Sequence, residues 1–220
     1  MRPMIFLLAI FCCLSAFAEP VANAPKDVVP GLYRAWDQIR SSTPEAQRKR
    51  ALLDLRKSAE GWLKQYPEDP GLLIWTGIIT SSYAGAAGGL SALGAAKDAR
   101  ASFERALQIH PGAQDGAAYT SLGSLYSQVP GWPLGFGNDD KAEDLLRKGL
   151  EVNPAGMDAN YFYADHLARQ GRWSLARTHL ERARSAPPRP DRPLADQARL
   201  AEIDSLLKEV EAKDASASKP

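Results

Sequence analysis

The sequence predicts an all-α protein built from repeated helical hairpins, and three observations support this fold class. Three segments share the pattern Ala-x3-bulky-x2-small, and a proline follows twelve residues after the first alanine of each. These spacings place the patterned side chains on one face of a helix, and the proline ends that helix because it lacks an N–H group. No stretch alternates apolar and polar residues between turn signals as a strand does.

The three copies of this pattern are regularly spaced along the chain. They are Ala99, Phe103, Ala106 and Pro111, then Ala142, Leu146, Gly149 and Pro154, then Ala176, Leu180, Ala183 and Pro188, and a weaker copy ends at Pro67. Pro154 and Pro188 are 34 residues apart, whereas the earlier intervals are 43 and 44 residues. The longer intervals predict two insertions within hairpins, at residues 81–94 and 128–138.

A second motif lies upstream of the patterned helix. Tyr119-x2-Leu122-Gly123-x2-Tyr126 follows the W-x2-L-G-x2-Y signature with tyrosine in place of tryptophan. With this motif and the 34-residue period, the chain resembles the tetratricopeptide-repeat (TPR) family over about residues 45–188. The resemblance implies a solenoid of three to four helical hairpins that acts as a non-catalytic scaffold for another protein.

The insertion sequences resemble a narrower group. SSYAGAAGGLSALG and QVPGWPLGFGNDDKA are similar to periplasmic TPR proteins associated with TRAP-type transporters, the TatT type. This similarity implies that the partner is a periplasmic solute-binding protein of a TRAP-type transport system.

The N-terminus predicts export. Arg2 precedes an uncharged apolar run from Ile5 to Phe17, and the Ala-Phe-Ala that ends at Ala18 fits signal-peptide cleavage there. We therefore expect residues 1–18 to be removed and the mature protein to be secreted, or periplasmic in a Gram-negative cell. Because Phe11 precedes Cys12 in place of a small residue, no lipid or other membrane anchor is expected after cleavage.

The flanks of the repeats predict the domain boundaries. Residues 19–30 contain prolines and small residues and are interpreted as a flexible lead. The helical domain is expected to span 31–213, with a first helix over 31–40. It ends in a capping helix within 191–213, which shields the last apolar face. Residues 214–220 are interpreted as a disordered tail.

Composition and motifs argue against several function classes. The chain carries 27 Lys and Arg against 26 Asp and Glu, so a nucleic-acid-binding protein's basic excess is missing. No nucleophile-elbow, phosphate-loop or zinc-protease motif occurs, and we predict no enzyme activity, cofactor or metal site. His166 beside Asp165 could bind metal or shuttle protons, but a surface or groove histidine is favoured because a lone histidine is not specific. Asn138-Asp139-Asp140 is interpreted as a helix cap.

Candidate binding residues come from two regions. The first helix of each hairpin is expected to line a neutral concave face of Ile74, Ile78, Ser81, Thr120, Ser124, Ser127, Tyr161 and Asp165. The other region comprises the adjacent insertions, with Tyr83 in the first and Trp132, Leu134 and Phe136 in the second. Two interpretations of the second insertion remain open: a recognition loop that displays aromatic side chains, or a plug that folds into the core. An alternative function is a carrier of a small apolar ligand in a pocket bounded by both insertions.

Overall fold

The computed structural model describes residues 23–217, so the predicted signal peptide lies outside the described residues. Those residues form nine α-helices and no strand: α1 Val28–Ser42, α2 Glu45–Gln65, α3 Pro70–Ala87, α4 Gly89–Ile109, α5 Ala113–Gln128, α6 Asp139–Val152, α7 Met157–Arg169, α8 Trp173–Arg184 and α9 Pro193–Ala217. None of these described helices is long and apolar enough to cross a membrane.

Consecutive helices pack as hairpins in a solenoid. The pairs are α1–α2, α3–α4, α5–α6 and α7–α8, and α9 packs on α8. The prediction of three to four hairpins with a C-terminal capping helix is therefore confirmed. Helix α1 begins at Val28, before the predicted domain start at residue 31, and α9 continues to Ala217, past the predicted domain end at residue 213. The lead is tied to the array where the Ala24 amide donates to Asp69 Oδ2 at 2.8 Å.

The repeated pattern forms the core of the hairpins. In every copy the first alanine and the bulky residue are buried: Ala99 and Phe103, Ala142 and Leu146, Ala176 and Leu180. Small residues let the paired helices approach closely. A Cβ on Gly77 would lie 2.5 Å from the Phe103 ring, and one on Gly149 would lie 2.5 Å from Thr120 Oγ1. Substitution at these glycines would push the two helices of a hairpin apart.

The two insertions differ in structure. Residues 81–94 are helical and lengthen both α3 and α4, since their alanines favour helix. The chain turns only at Gly88 and Gly89, with φ of 70° and 60°, a left-handed conformation that glycine adopts without strain. The second insertion is a loop from Val129 to the N-cap Asn138. As predicted, Asn138 caps a helix: its Oδ1 accepts from the Lys141 amide at 2.8 Å.

The solenoid closes on itself. Helix α9 contacts α7 as well as α1, so the last helix returns to the first. The chain reaches this position through the proline-rich segment 187–192, which connects α8 to α9. The concave face is consequently enclosed by both ends of the array, and its walls come from distant parts of the sequence.

Candidate functional site

The concave face forms a cavity of about 1380 Å³. Its inner wall comes from α3, α5 and α7, the first helices of three hairpins. Six of the predicted groove residues line it: Ile78, Ser81, Thr120, Ser124, Tyr161 and Asp165. The other two lie elsewhere, because Ile74 is fully buried in the core and Ser127 is hydrogen-bonded to His166 at 3.0 Å.

The expectation of a neutral face is wrong for the cavity as a whole. Its inner wall presents hydroxyl groups as expected, but α1, α2 and the 187–202 region add arginines and carboxylates that the hairpin pattern did not place there. These additional charged residues are Arg40, Glu45, Arg48, Lys49, Arg189, Asp191, Arg192, Arg199 and Glu202. A cavity of this polarity does not suit the small apolar ligand considered as an alternative. The loop 128–138 contributes only Gln128 to its lining.

Contacts between α1 and the segment that leads into α9 close one side of the cavity. Arg192 makes two hydrogen bonds to the Asp37 carboxylate, at 2.6 and 3.1 Å. Its guanidinium carbon also lies 4.8 Å from the centre of the Trp75 ring. Beside this pair, the Tyr33 hydroxyl donates to Asp191 at 2.9 Å. We call these contacts the clasp.

An ion-pair network extends the clasp along α9. Arg199 pairs with Asp158 at 2.7 Å and with Glu202 at 2.5 Å, and Glu202 also pairs with Arg40 of α1. Arg189 binds Asp158 from the other side at 2.7 Å. Burial opposes ionisation of Asp158, but Arg199 and Arg189 outweigh burial and hold its pKa well below the ordinary value. Asp158 is therefore ionised at neutral pH.

The first turn of α5 is kinked and carries backbone strain beside the cavity. Gln114, Asp115 and Gly116 adopt left-handed φ of 51°, 54° and 75°. Gln114 and Asp115 both line the cavity. The left-handed conformation costs a residue that carries a Cβ about 1–2 kcal/mol. The strained turn places the amide of Gln114 and the carboxylate of Asp115 at the cavity wall.

The loop 128–138 has features of both a recognition loop and a plug that folds into the core. Phe136 is half-buried and packs edge-on against Tyr126, with ring centres 5.4 Å apart, and the Arg100 guanidinium lies 4.7 Å from its ring centre. Trp132 and Leu134 point outward and are 90% and 73% exposed. The loop is thus anchored by one aromatic side chain and displays another.

The two insertions meet at one edge of the array. A Cβ on Gly135 would lie 3.4 Å from Leu93 Cδ1 in α4. Leu90, one turn before Leu93, is 89% exposed. Leu90, Trp132 and Leu134 form what we call the edge patch. Tyr83, the remaining predicted site residue, is half-buried in α3 and packs against the core, with the Arg56 guanidinium 5.7 Å from its ring centre.

The histidines of α7 and α8 are structural in character. His166 is 1% exposed, so its interpretation as a surface or groove residue is wrong. Desolvation lowers the pKa of His166 despite nearby Asp139 and Glu143. His179 bonds to Asn160 at 2.9 Å, and burial lowers its pKa as well. Within the described part of the chain, no group of three histidine, cysteine or carboxylate side chains is arranged to hold a metal ion.

Sequence reasoning missed Leu90 and the clasp. Leu90 lies within the first insertion and is followed by a helical pattern, but nothing in the sequence shows which of its leucines faces solvent. Arg192 and Asp37 are 155 residues apart, and no local spacing connects them.

Comparisons with known proteins identify the fold. No protein-family model and no curated protein sequence matches the chain. Among solved structures, it is similar to TTC0263, a thermophilic TPR protein of Thermus thermophilus, with 20% identity, a TM-score of 0.56, and 86% of this chain and 89% of that chain covered. A crystal structure of MamA aligns at 17% identity and a TM-score of 0.46, covering 80% of this chain and 96% of that chain. The likeness to TTC0263 shows that this chain has the fold of TPR proteins.

Proposed function

We propose that this protein is an exported, non-catalytic scaffold that holds another protein at its edge patch. The observation that carries the proposal is the exposure of Leu90, Trp132 and Leu134 at one edge. Exposed apolar surface gathered at one edge of a protein marks a protein–protein interaction site. Tryptophan is also among the residues that contribute most to the binding energy of protein interfaces.

The loop is built to keep this surface in place. Phe136 anchors it to Tyr126. Within the loop, the Gly137 amide donates to the Pro130 carbonyl at 2.9 Å, and the Asn138 amide donates to the Tyr126 carbonyl at 3.0 Å. A loop that is already ordered loses little conformational entropy when a partner binds. Trp132 is consequently presented in a fixed position for docking.

The partner that we propose is a periplasmic solute-binding protein of a TRAP-type transport system. The proposal follows from the similarity of both insertion sequences to TatT-type proteins, and the edge patch is formed by those same insertions. Export fits the signal-peptide pattern of residues 1–18. N-terminal sequencing of the protein recovered from cells should begin at Glu19, and a start at Met1 would refute export.

Binding of purified protein to the TRAP-type solute-binding protein of the same cell, measured by biolayer interferometry, tests the proposal. Trp132→Ala and Leu134→Ala should weaken binding at least tenfold and leave the melting temperature unchanged, because both side chains are exposed. Leu175→Ala is the matched control, since Leu175 is a half-exposed leucine on α8. No binding by the native protein, or equal binding by all variants, would contradict the proposal.

A further inference from the structure

Two basic side chains on the cavity wall differ from the others. The cavity-lining arginines at 40, 169, 189, 192 and 199 all pair with a carboxylate. Arg48 and Lys49 also line the cavity, yet neither has an ion-pair partner among residues 23–217. They follow one another in the first turns of α2, so the cavity wall at the start of this helix carries two adjacent uncompensated positive charges.

Most hydrogen-bonding capacity of these two side chains is unused. Arg48 donates from Nη2 to the Thr43 carbonyl at 3.3 Å, and its buried Nε has no acceptor within the described structure. Lys49 donates from Nζ to the Ala87 carbonyl at 3.3 Å. A guanidinium has five N–H donors and an ammonium three, so several donors remain for an acceptor from outside the chain.

The carboxylates of the cavity do not neutralise this wall. Asp158, Asp165 and Glu202 bind arginines, and Asp191 accepts from Tyr33. Glu45 and Asp115 also line the cavity and are exposed to water. Glu45 lies three residues before Arg48 on the same helix, but the two side chains form no ion pair in the described structure. The positive charges therefore face the cavity without a protein counter-charge.

The surroundings suit a polar ligand. Ser81 and Ser82 of α3 line the same cavity, and Lys49 contacts the last residue of α3. Trp36 lies close by, since its indole N–H donates to Ser82 Oγ at 2.9 Å. This wall thus combines two cations with hydroxyl groups and an aromatic ring. Small-molecule sites occupy about 300–1,000 Å³, so a cavity of about 1380 Å³ can hold such a ligand.

We propose that the cavity binds a small organic anion whose carboxylate or phosphate group is held by Arg48 and Lys49. This site is separate from the edge patch and does not depend on the proposed protein partner. Lys49 also lies at the C-terminal end of α3, where a cation stabilises the helix dipole. The experiment must therefore separate ligand binding from a contribution to folding.

Isothermal titration calorimetry of the full mature chain with citrate, and separately with inorganic phosphate, tests the site. At low ionic strength, at least one of these anions should bind saturably in a one-to-one ratio. The double variant Arg48→Gln/Lys49→Gln should weaken that binding at least tenfold, since it removes charge-assisted hydrogen bonds. Preference for citrate would identify a carboxylate site, and preference for phosphate would identify a phosphate site.

The matched control is Arg50→Gln/Lys57→Gln, which removes the same charge from the same helix at residues that do not line the cavity. It should bind the anion as the native protein does. Melting curves without anion report any folding contribution of Lys49 separately. The proposal is overturned if neither anion binds the native protein, or if both double variants bind it equally well.

Discussion

Arg192 forms a two-point ion pair with Asp37 across 155 residues of sequence, with Nη2–Oδ1 and Nε–Oδ2 distances of 2.6 and 3.1 Å. The side chains of Arg192 and Asp37 are only 12% and 5% exposed, and the guanidinium also lies near the aromatic rings of Tyr33, Trp36 and Trp75. This pair is the centre of the contact between α1 and the segment leading into α9. It joins the first helix of the solenoid to the start of the last.

Replacing Arg192 should destabilise the protein strongly. Arg192→Met leaves the Asp37 carboxylate buried without its partner, which costs about 3–5 kcal/mol. For a domain of this size, the melting temperature should fall by roughly ten degrees. Arg192→Lys retains the charge but loses the planar two-point geometry, so its melting temperature should lie between those of the native protein and Arg192→Met. Equal melting of all three proteins, measured by circular dichroism, would show that the clasp contributes no stability.

Two glycines of the second insertion should respond differently to alanine. A Cβ on Gly137 would lie 1.8 Å from the Val129 carbonyl oxygen, whereas the nearest atom to a Cβ on Gly131 would be 3.5 Å away. Gly137→Ala must displace the loop backbone, so it should lower the melting temperature and weaken partner binding while every aromatic side chain is retained. Gly131→Ala should resemble the native protein in both measurements. Native-like binding by Gly137→Ala would show that loop geometry is not needed.

Relieving the strained turn should stabilise the fold. Gln114 has φ of 51°, and left-handed conformation in a residue with a Cβ costs about 1–2 kcal/mol. Gln114→Gly should raise the free energy of unfolding by up to about 1 kcal/mol, because glycine's extra freedom in the unfolded chain offsets part of the gain. Gln114→Ala keeps the Cβ and should give no increase. Urea denaturation of both variants measures the difference, and a larger gain for alanine would contradict the strain.

Stability should decrease in mild acid through the histidines of α7 and α8. Desolvation lowers the folded-state pKa of His166 and His179, whereas a histidine in the unfolded chain has a pKa of about 6.5. Between these values the unfolded chain binds more protons, so the free energy of unfolding falls as pH decreases below about 6.5. Urea denaturation between about pH 7.5 and 5 should show this slope, and His166→Gln should reduce it. An unchanged slope in His166→Gln would exclude a contribution from His166.

The features that the sequence predicted most clearly are those set by local residue spacing, namely the hairpin helices and their cores. The alanine, the bulky residue and the proline recur at fixed distances, so they place the hairpin cores of Phe103, Leu146 and Leu180. The Ala- and Gly-rich insertion was recognised by length, but its helical form depends on propensity and on the single break at Gly88–Gly89. The loop could not be resolved into its inward Phe136 and outward Trp132, because both aromatics fit either environment.

The clasp and the charges of the cavity depend on tertiary structure alone. Arg192 is the last residue of the proline-rich segment 187–192, whose composition is that of a linker, and Asp37 lies on α1, whose packing partners no local pattern predicts. Arginine and aspartate on surface-like helices usually face solvent. Only the return of α9 to α1 shows that these side chains are buried together and that one side of the cavity is charged.

The return of the last helix to the first makes this array circular. In an open TPR solenoid each unit interacts only with its neighbours, so terminal units fray first and the array can lengthen by duplication of a unit. Here α1 and α9 are neighbours, and neither terminus of the array is free to unravel independently. An added unit would separate Arg192 from Asp37. The hairpin number is therefore fixed by geometry, and unfolding should proceed as one cooperative step instead of peeling from an end.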